Sequence, residues 1–203
     1  MLHVITQSRD MHAVLRNMFE ARKRVFVDLL GWDVPVLAGR YELDQFDTPD
    51  AFYLVLTGSD REHRASARLL PTDRPHILDS LFGELCEGPV PQGPGIFEIT
   101  RFCIDPRLDR IERRRARDEL VQGIARFGLA RGIRLYTGVA EAGWLKQVLA
   151  FGWKCRLLGE PHSVGGKMLG ALAIEIDRDT PRLLEANGIS GRAPTVLEVR
   201  DAA

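Results

Sequence analysis

Apolar residues in the first thirty positions recur at helical spacing. Met11, Val14, Leu15, Met18, Phe19, Val25, Phe26 and Leu29 fall on one stripe, which predicts a helix over 10–30 after a short strand near 2–6. Such a helix presents Arg22 and Phe26, four apart, on one face. The pattern then changes to short apolar runs at 51–57 (AFYLVLT), 64–70 (RASARLL) and 96–104 (IFEITRFCI), which predict strands, the first two joined as a hairpin through GSDREH. In the third run a period of two sets Glu98 and Thr100 on one face and Phe97, Ile99 and Arg101 on the other; a bulge would bring Glu98 and Arg101 together. The Gly/Pro-containing segment 31–50 and the proline-rich segment 71–95 read as loops, the latter with one short helix around 78–85.

The second half alternates. A helix over 112–131, a strand at 133–139, a helix at 142–151 and strands near 153–158 and 168–176 follow one another, an α/β or α+β sandwich layout. The chain shows no internal repeat. At 203 residues and 45% hydrophobic content it can bury one sizeable core, so a single domain over 1–203 is expected. The tail 180–203, with Pro181, Gly188, Gly191 and Pro194, is expected to be partly mobile.

Charge and cysteine usage narrow the function classes. With 28 basic and 28 acidic residues the formal net charge is +0, so no global field draws the chain to nucleic acid or to an anionic membrane. Cys86, Cys103 and Cys155 are an odd number without metal-ligand spacing, which points to a reducing, cytoplasmic setting. The start, MLHVITQSRD, carries neither a signal-peptide pattern nor a run of 18 apolar residues, so secretion and a membrane span are not expected. His3, His12, His63, His76 and His162 have no partner at catalytic or metal spacing, and no metal site is expected.

The candidate chemistry lies in four strings: RKRVFVDLLGWD at 22–33, ELDQFD at 42–47, ARLLPT at 67–72 and FEITRF at 97–102. Carboxylates and guanidiniums beside apolar runs are rarely buried unless paired, so these strings suggest charges assembled around a polar ligand. Taken singly, Arg22, Asp44, Asp47, Glu98 and Arg101 fit a structural ion-pair network as well, and Phe26 fits a core position. Trp32, beside Gly31 in a polar loop, reads as ligand-facing.

In this order the strings resemble the acyl-homoserine lactone synthases, the LuxI-type autoinducer synthases of bacterial quorum sensing. The shared pattern is Arg22-x-x-Val25-Phe26, Trp32 six residues later, Asp44-x-x-Asp47, Arg68 in a strand ending Leu70-Pro71-Thr72, and Glu98-x-x-Arg101-Phe102. The resemblance is specific from Arg22 to Arg101 and looser to about residue 176. It implies a GNAT-like three-layer α/β (α+β) sandwich, whose central mixed, mostly antiparallel sheet has a V-shaped splay and is flanked by helices. It also implies that the α-amine of S-adenosylmethionine attacks an acyl thioester and that its carboxylate then displaces methylthioadenosine, closing a lactone. No metal or redox cofactor is implied, S-adenosylmethionine being a substrate.

On that resemblance Glu98 is the base, Asp44 and Asp47 hold the ammonium and sulfonium side, and Arg22 and Arg101 orient the carboxylate. Phe26 and Trp32 wall the adenosine and sulfonium, Arg68 braces the cluster, and Phe102 counts with the S-adenosylmethionine contacts. The acyl pocket is expected from Phe82, Leu135, Val139, Ala140, Trp144, Leu145, Val148 and Leu149. Aligned on the downstream Phe151-Gly152-Trp153, Ala140 falls where relatives favouring a 3-oxo group carry Thr and offers no donor, which implies a chain unsubstituted at the third carbon; a shifted alignment puts Thr137 there instead.

The helix after Asp105-Pro106 carries Arg107, Arg110, Arg113, Arg114, Arg115 and Arg117 and, in RLDRIERRRARDEL, no glycine for a pyrophosphate loop. That departure suits an acidic acyl carrier protein docking on Arg113, Arg114 and Arg117, extended by Lys146, Lys154 and Arg156, with acyl-CoA as the other donor and a solvated helix face as the plain alternative. The competing function is a GNAT-type N-acyltransferase using acyl-CoA and another amine; a non-catalytic ligand-binding relative is the third class.

Overall fold

The computed structural model describes residues 1–6, 13–191 and 197–198. Contacts divide the chain into two compact units that exchange segments: Met1–Leu69, Arg101–Gly123 and Gly191–Ala203 form one, and Leu70–Thr100 with Ile124–Ser190 form the other. The architecture is mixed α/β, a mostly antiparallel sheet flanked by helices.

In the first unit β1 (Leu2–Thr6) pairs antiparallel with β4 (Phe52–Thr57), and β4 with β5 (His63–Pro71), the predicted hairpin. A two-residue strand, Leu197–Glu198, runs parallel to β1. The helix α1 (Ala13–Arg22) buries Leu15, Met18, Phe19, Ala21 and Arg22, a stripe one turn apart. It meets the sheet where the Phe19 ring stands edge-on to Tyr53 at 5.7 Å. The front half of α3 (Arg110–Arg131) covers the opposite face, since a side chain at Gly123 would collide with Leu2, the cross-strand partner of Leu56 rather than of Tyr53. Two small strands, β2 (Val36–Leu37) and β3 (Tyr41–Glu42), pair within the segment read as a loop.

The second unit is built on β10 (Lys167–Glu175), a nearly continuous apolar run that pairs antiparallel with β7 (Leu135–Glu141), β8 (Lys154–Leu157) and β9 (His162–Val164). The opening residues of β6 (Ile96–Ile104) run parallel to β7. One face packs on the short helix α2 (Ile77–Leu81) and the 3-10 turn Gly83–Leu85, through Leu78, Leu85, Ala171, Phe82 and Val139. The other receives the rear of α3, where Gly128 lets Tyr136 come close enough for its hydroxyl to donate to the Ile124 carbonyl at 3.2 Å. Helix α4 (Ala142–Leu149) follows β7 directly.

Two predicted elements change and one strand is new. The first helix is α-helical only to Arg22; Lys23–Leu29 winds as a π-helix, and the start predicted at 10 lies outside the described residues. β9 was not expected. The tail expected to be partly mobile contains a helix, α5 (Thr180–Ala186), started by Pro181 in its first turn, while 192–196 and 199–203 lie outside the described residues.

Candidate active site

The first unit gathers five of the predicted residues into one buried ion network. Arg22 ends α1 and grips Asp47 with both terminal nitrogens, at 2.8 and 2.9 Å, while its Nε donates to Glu42. Arg68 donates to Asp44 at 2.6 and 3.1 Å and lies 2.9 Å from Asp47. Arg101 donates to Glu42 at 3.0 Å and to Asp44 at 2.6 Å. Three arginines thus face three carboxylates, and the sum of their charges is zero. Such a network holds together because each charge is paired; removing one partner from a buried pair costs roughly 3–5 kcal/mol.

Two members were missed by sequence reasoning. Glu42 bridges Arg22 and Arg101, and its signal was present, since it stands in ELDQFD beside the chosen acids. Tyr53 donates its phenol proton to Asp47 at 2.9 Å. Its signal is the register of the hairpin, which makes Tyr53 the cross-strand partner of Arg68.

Electrostatics rank the members. Burial pushes the Asp47 carboxyl up, but Arg22, then Arg68 and the Asp44 amide, more than offset this and hold it well below the usual range. Burial works against the Arg22 cation too, yet Asp47 and Glu42 hold its pKa above the ordinary value. Arg101 behaves differently: burial, with Arg22 and Arg68 nearby, lowers its pKa despite Glu42 and Asp44. It is also the most exposed of the six, with its side chain 10% accessible against 0–5% for the others. An anion would meet Arg101 first.

Arg101 stands at φ +51°, a left-handed backbone that non-glycine residues rarely adopt. There the two-residue alternation of β6 breaks: Ile96, Glu98 and Thr100 are buried, then Arg101 and Phe102 are both half-buried before Cys103 is buried again. The guanidinium lies 5.5 Å from the Phe26 ring and 5.9 Å from the Trp32 ring, and those rings stack at 4.8 Å. The π-helix produces this stack. Its wider turn, seen where the Leu30 amide reaches the Val25 carbonyl five residues back at 3.0 Å, packs Phe26 on Ala21, Val25 and Cys103 instead of one α turn above Arg22, and past the left-handed Gly31 the Trp32 amide closes on the Phe26 carbonyl at 2.8 Å. Phe26 is therefore a core residue that also stacks on Trp32.

Glu98 belongs to the second unit and is fully buried. Its two oxygens accept the amide protons of Ile77 at 2.8 Å and Leu78 at 3.0 Å, the opening turn of α2. Glu98 also marks a fork. β6 pairs with β7 only through Ile96↔Leu135, Phe97↔Tyr136 and Glu98↔Thr137, while β7 continues against β10 to Glu141.

The expected acyl pocket divides between two faces. β7 is regular against β10, so Thr137 and Val139 point to the α2 side and Tyr136, Gly138 and Ala140 to the other. Val139 and Phe82 are packed into the cluster with Leu78, Leu85 and Ala171. Ala140 pairs with Gly170, above which Leu145 lies. Leu135 alternates with Thr137 and Val139 and so shares their face, and Phe82 packs in the same cluster as Val139, whereas Ala140 and Leu145 lie on the opposite side of the strand. Trp144 meets Phe151 edge-on at 5.7 Å, the Val148 carbonyl accepts the Trp153 indole proton, and Leu149 closes α4 half-buried.

Of the predicted docking residues, Arg113, Arg114, Lys146, Lys154 and Arg156 are exposed and Arg117 is half-buried. Arg117 is held against Asp118 at 2.6 Å, Arg114 reaches the same carboxylate at 3.8 Å, and Lys154 bonds Asp177 at 2.6 Å. Among the described residues no group of His, Cys, Asp and Glu could hold a metal ion, and no helix is long and apolar enough to cross a membrane.

Residues 6–184 match the autoinducer synthase family. The chain is 32% identical over 174 residues to the acyl-homoserine-lactone synthase of Ralstonia nicotianae, across 83% of this chain and 85% of that protein. It superposes with a TM-score of 0.84 and 26% identity on BjaI, a CoA-dependent acyl-homoserine lactone synthase solved with SAM and isopentyl-CoA, over 97% of this chain and 92% of that one. TofI, solved in a ternary complex with an inhibitor and MTA, gives a TM-score of 0.78 and 26% identity over 93% and 99%.

Proposed function

The chain belongs to the autoinducer synthase family, the acyl-homoserine-lactone synthases, and we propose from this how its residues divide the work of transferring an acyl group to S-adenosylmethionine and closing the lactone. The observation that carries the reading is that the family's widely spaced charges converge on one neutral, buried network whose most exposed member, Arg101, lies beside the stacked Phe26 and Trp32 rings.

Arg101 takes the S-adenosylmethionine carboxylate, since it is the least secured cation and the most exposed. Phe26 and Trp32 face the sulfonium and adenosine, because aromatic faces attract cations. Asp47 accepts protons from Arg22, Tyr53 and the Asp44 amide, and with Arg68 beside it acts as the hub that fixes the arginines instead of as a ligand. Arg22, Arg68, Glu42 and Asp44 complete that frame, and Phe102 lies beside Arg101. Glu98 takes the proton of the attacking amine, whose unperturbed pKa is roughly 7.7–8.0, so a neighbouring carboxylate suffices. The sulfonium is its own leaving group, and the reaction draws on no cofactor.

The acyl chain passes through the fork where β6 and β7 part after Glu98 and Thr137, its thioester end at the fork and its tail on the Ala140 side of β7 with Leu145 and Val148 of α4, because the Val139 side is already filled by its own cluster. The donor is an acylated carrier protein or acyl-CoA. Exposed Arg113 and Arg114 favour an acidic carrier protein, whereas the likeness to BjaI favours coenzyme A. Three free cysteines, Cys86, Cys103 and Cys155, suit a reducing, cytoplasmic setting for the enzyme.

The test is turnover of the purified protein with S-adenosylmethionine and a fatty acyl thioester, followed by mass spectrometry. Methylthioadenosine and acyl-homoserine lactone should appear in equal amounts. Thiol release without methylthioadenosine would move the chain to the generic N-acyltransferases.

A further inference from the structure

We infer that the Thr137 hydroxyl, at the fork where β6 and β7 part, is a catalytic donor to the carbonyl oxygen of the acyl thioester. Thr137 is fully buried, and its Oγ1 has no hydrogen-bond partner among the described residues. A buried hydroxyl left unsatisfied costs about 1–3 kcal/mol, whereas valine, nearly its isostere, would carry no such cost. The position therefore gives up stability unless a ligand completes the bond.

The ladder fixes where that ligand must be. Thr137 is the partner of Glu98 on the last rung of the parallel pair, so the two side chains leave the sheet on the same face about 5 Å apart. On its other side Thr137 pairs with Ala173, which offers no polar atom, and Val139 beyond it lies in an apolar cluster. Glu98 itself is turned to the amides of Ile77 and Leu78. The hydroxyl is thus a donor at the mouth of the fork, next to the carboxylate proposed to receive the amine proton.

That pairing suits both halves of acyl transfer. As the amine nitrogen forms its bond to the thioester carbon, the carbonyl electron pair moves onto oxygen, and Thr137 donates to this growing charge. The intermediate collapses by breaking the carbon–sulfur bond; the amine proton passes by way of Glu98 to the departing thiolate, leaving amide and thiol. Thr137 loses no proton in the cycle.

The inference rests on the lactone synthase reading, and wild-type formation of lactone with methylthioadenosine tests that reading separately. The decisive comparison is Thr137→Val against Thr137→Ser. Removing one oxyanion donor typically costs 10² to 10³ in kcat, so Thr137→Val should lose about that factor with unsubstituted acyl thioesters while Thr137→Ser keeps turnover within a few-fold. Affinity for S-adenosylmethionine, measured by calorimetry, should be unchanged, and the melting temperature of Thr137→Val should equal or exceed wild type. Normal turnover in Thr137→Val would overturn the assignment. So would a loss confined to 3-oxoacyl thioesters, which would place the hydroxyl on the chain's third carbon, or a lowered melting temperature, which would make it a structural bond.

Discussion

His63 makes the stability of this fold sensitive to mild acid. It opens β5 fully buried, with its Nε2 2.9 Å from the Ser66 hydroxyl. Burial drives its pKa from 6.5 down to about 4; Asp105 pulls the other way, and Arg24 and Arg107 add to the fall. The folded state therefore favours the neutral ring, and between pH 6.5 and 4 the unfolded chain binds more protons, so stability is full above 6.5 and falls as pH drops. At about 1.4 kcal/mol per pKa unit, the 2.5-unit gap is worth about 3 kcal/mol in total, of which about 2 kcal/mol is lost by pH 5. His3, also lowered by burial, adds a smaller loss of the same sign. Asp47 and Asp105 are both held below their ordinary value, so their contributions disappear only under stronger acid. Urea unfolding from pH 7 to pH 5 should show the loss, and His63→Gln should remove most of it. A flat profile, or an undiminished slope in the variant, would refute the reasoning.

Four further outcomes follow from the site. Tyr53→Phe keeps the packing on Phe19 but removes a bond to a charged acceptor, so stability should fall by roughly 1.5–3 kcal/mol in urea titrations; no change would remove Tyr53 from the network. Glu98→Gln should cost about 10² to 10⁴ in kcat while S-adenosylmethionine still binds, and near-normal turnover would exclude it as the base. Ala140→Thr should raise the ratio of 3-oxoacyl to unsubstituted turnover, and an unchanged ratio would place the third carbon elsewhere. Replacing exposed Arg113 and Arg114 by Glu should raise KM for acyl carrier protein but not for S-adenosylmethionine, most clearly at low salt, because steering acts on encounter; wild-type behaviour would leave these arginines a solvated helix face.

Most of the site was legible because its charges sit in short, distinctive strings. Arg22, Asp44, Asp47, Arg68 and Arg101 were all placed, and all meet in the first unit. Their roles were harder to read. Asp47 reads as a ligand-holding acid in its string, and that Arg22, the Asp44 amide and Tyr53 all donate to it follows only from the tertiary fold. The π-helix escaped because α and π hydrogen bonds differ by one residue in reach, so a short stripe of apolar side chains fits either until the Leu30 amide is seen to bond Val25, five residues back. The division of Val139 from Ala140 could have been drawn from the period of two alone. The exchange of segments between the two units leaves no mark in composition or periodicity, because each segment reads as ordinary strand or helix.

That exchange sets an order on how the network can form during synthesis. Arg22, Glu42, Asp44, Asp47 and Arg68 are all made before residues 70–100, which belong to the other unit, and Arg101 follows only afterwards. Two cations and three anions leave the nascent cluster one negative charge in excess, and a buried unpaired carboxylate is unfavourable enough to keep it open to water. Glu42 and Asp44, the two acids that Arg101 bridges, are the ones left short. The last arginine to leave the ribosome is then the one whose arrival lets the acids close over.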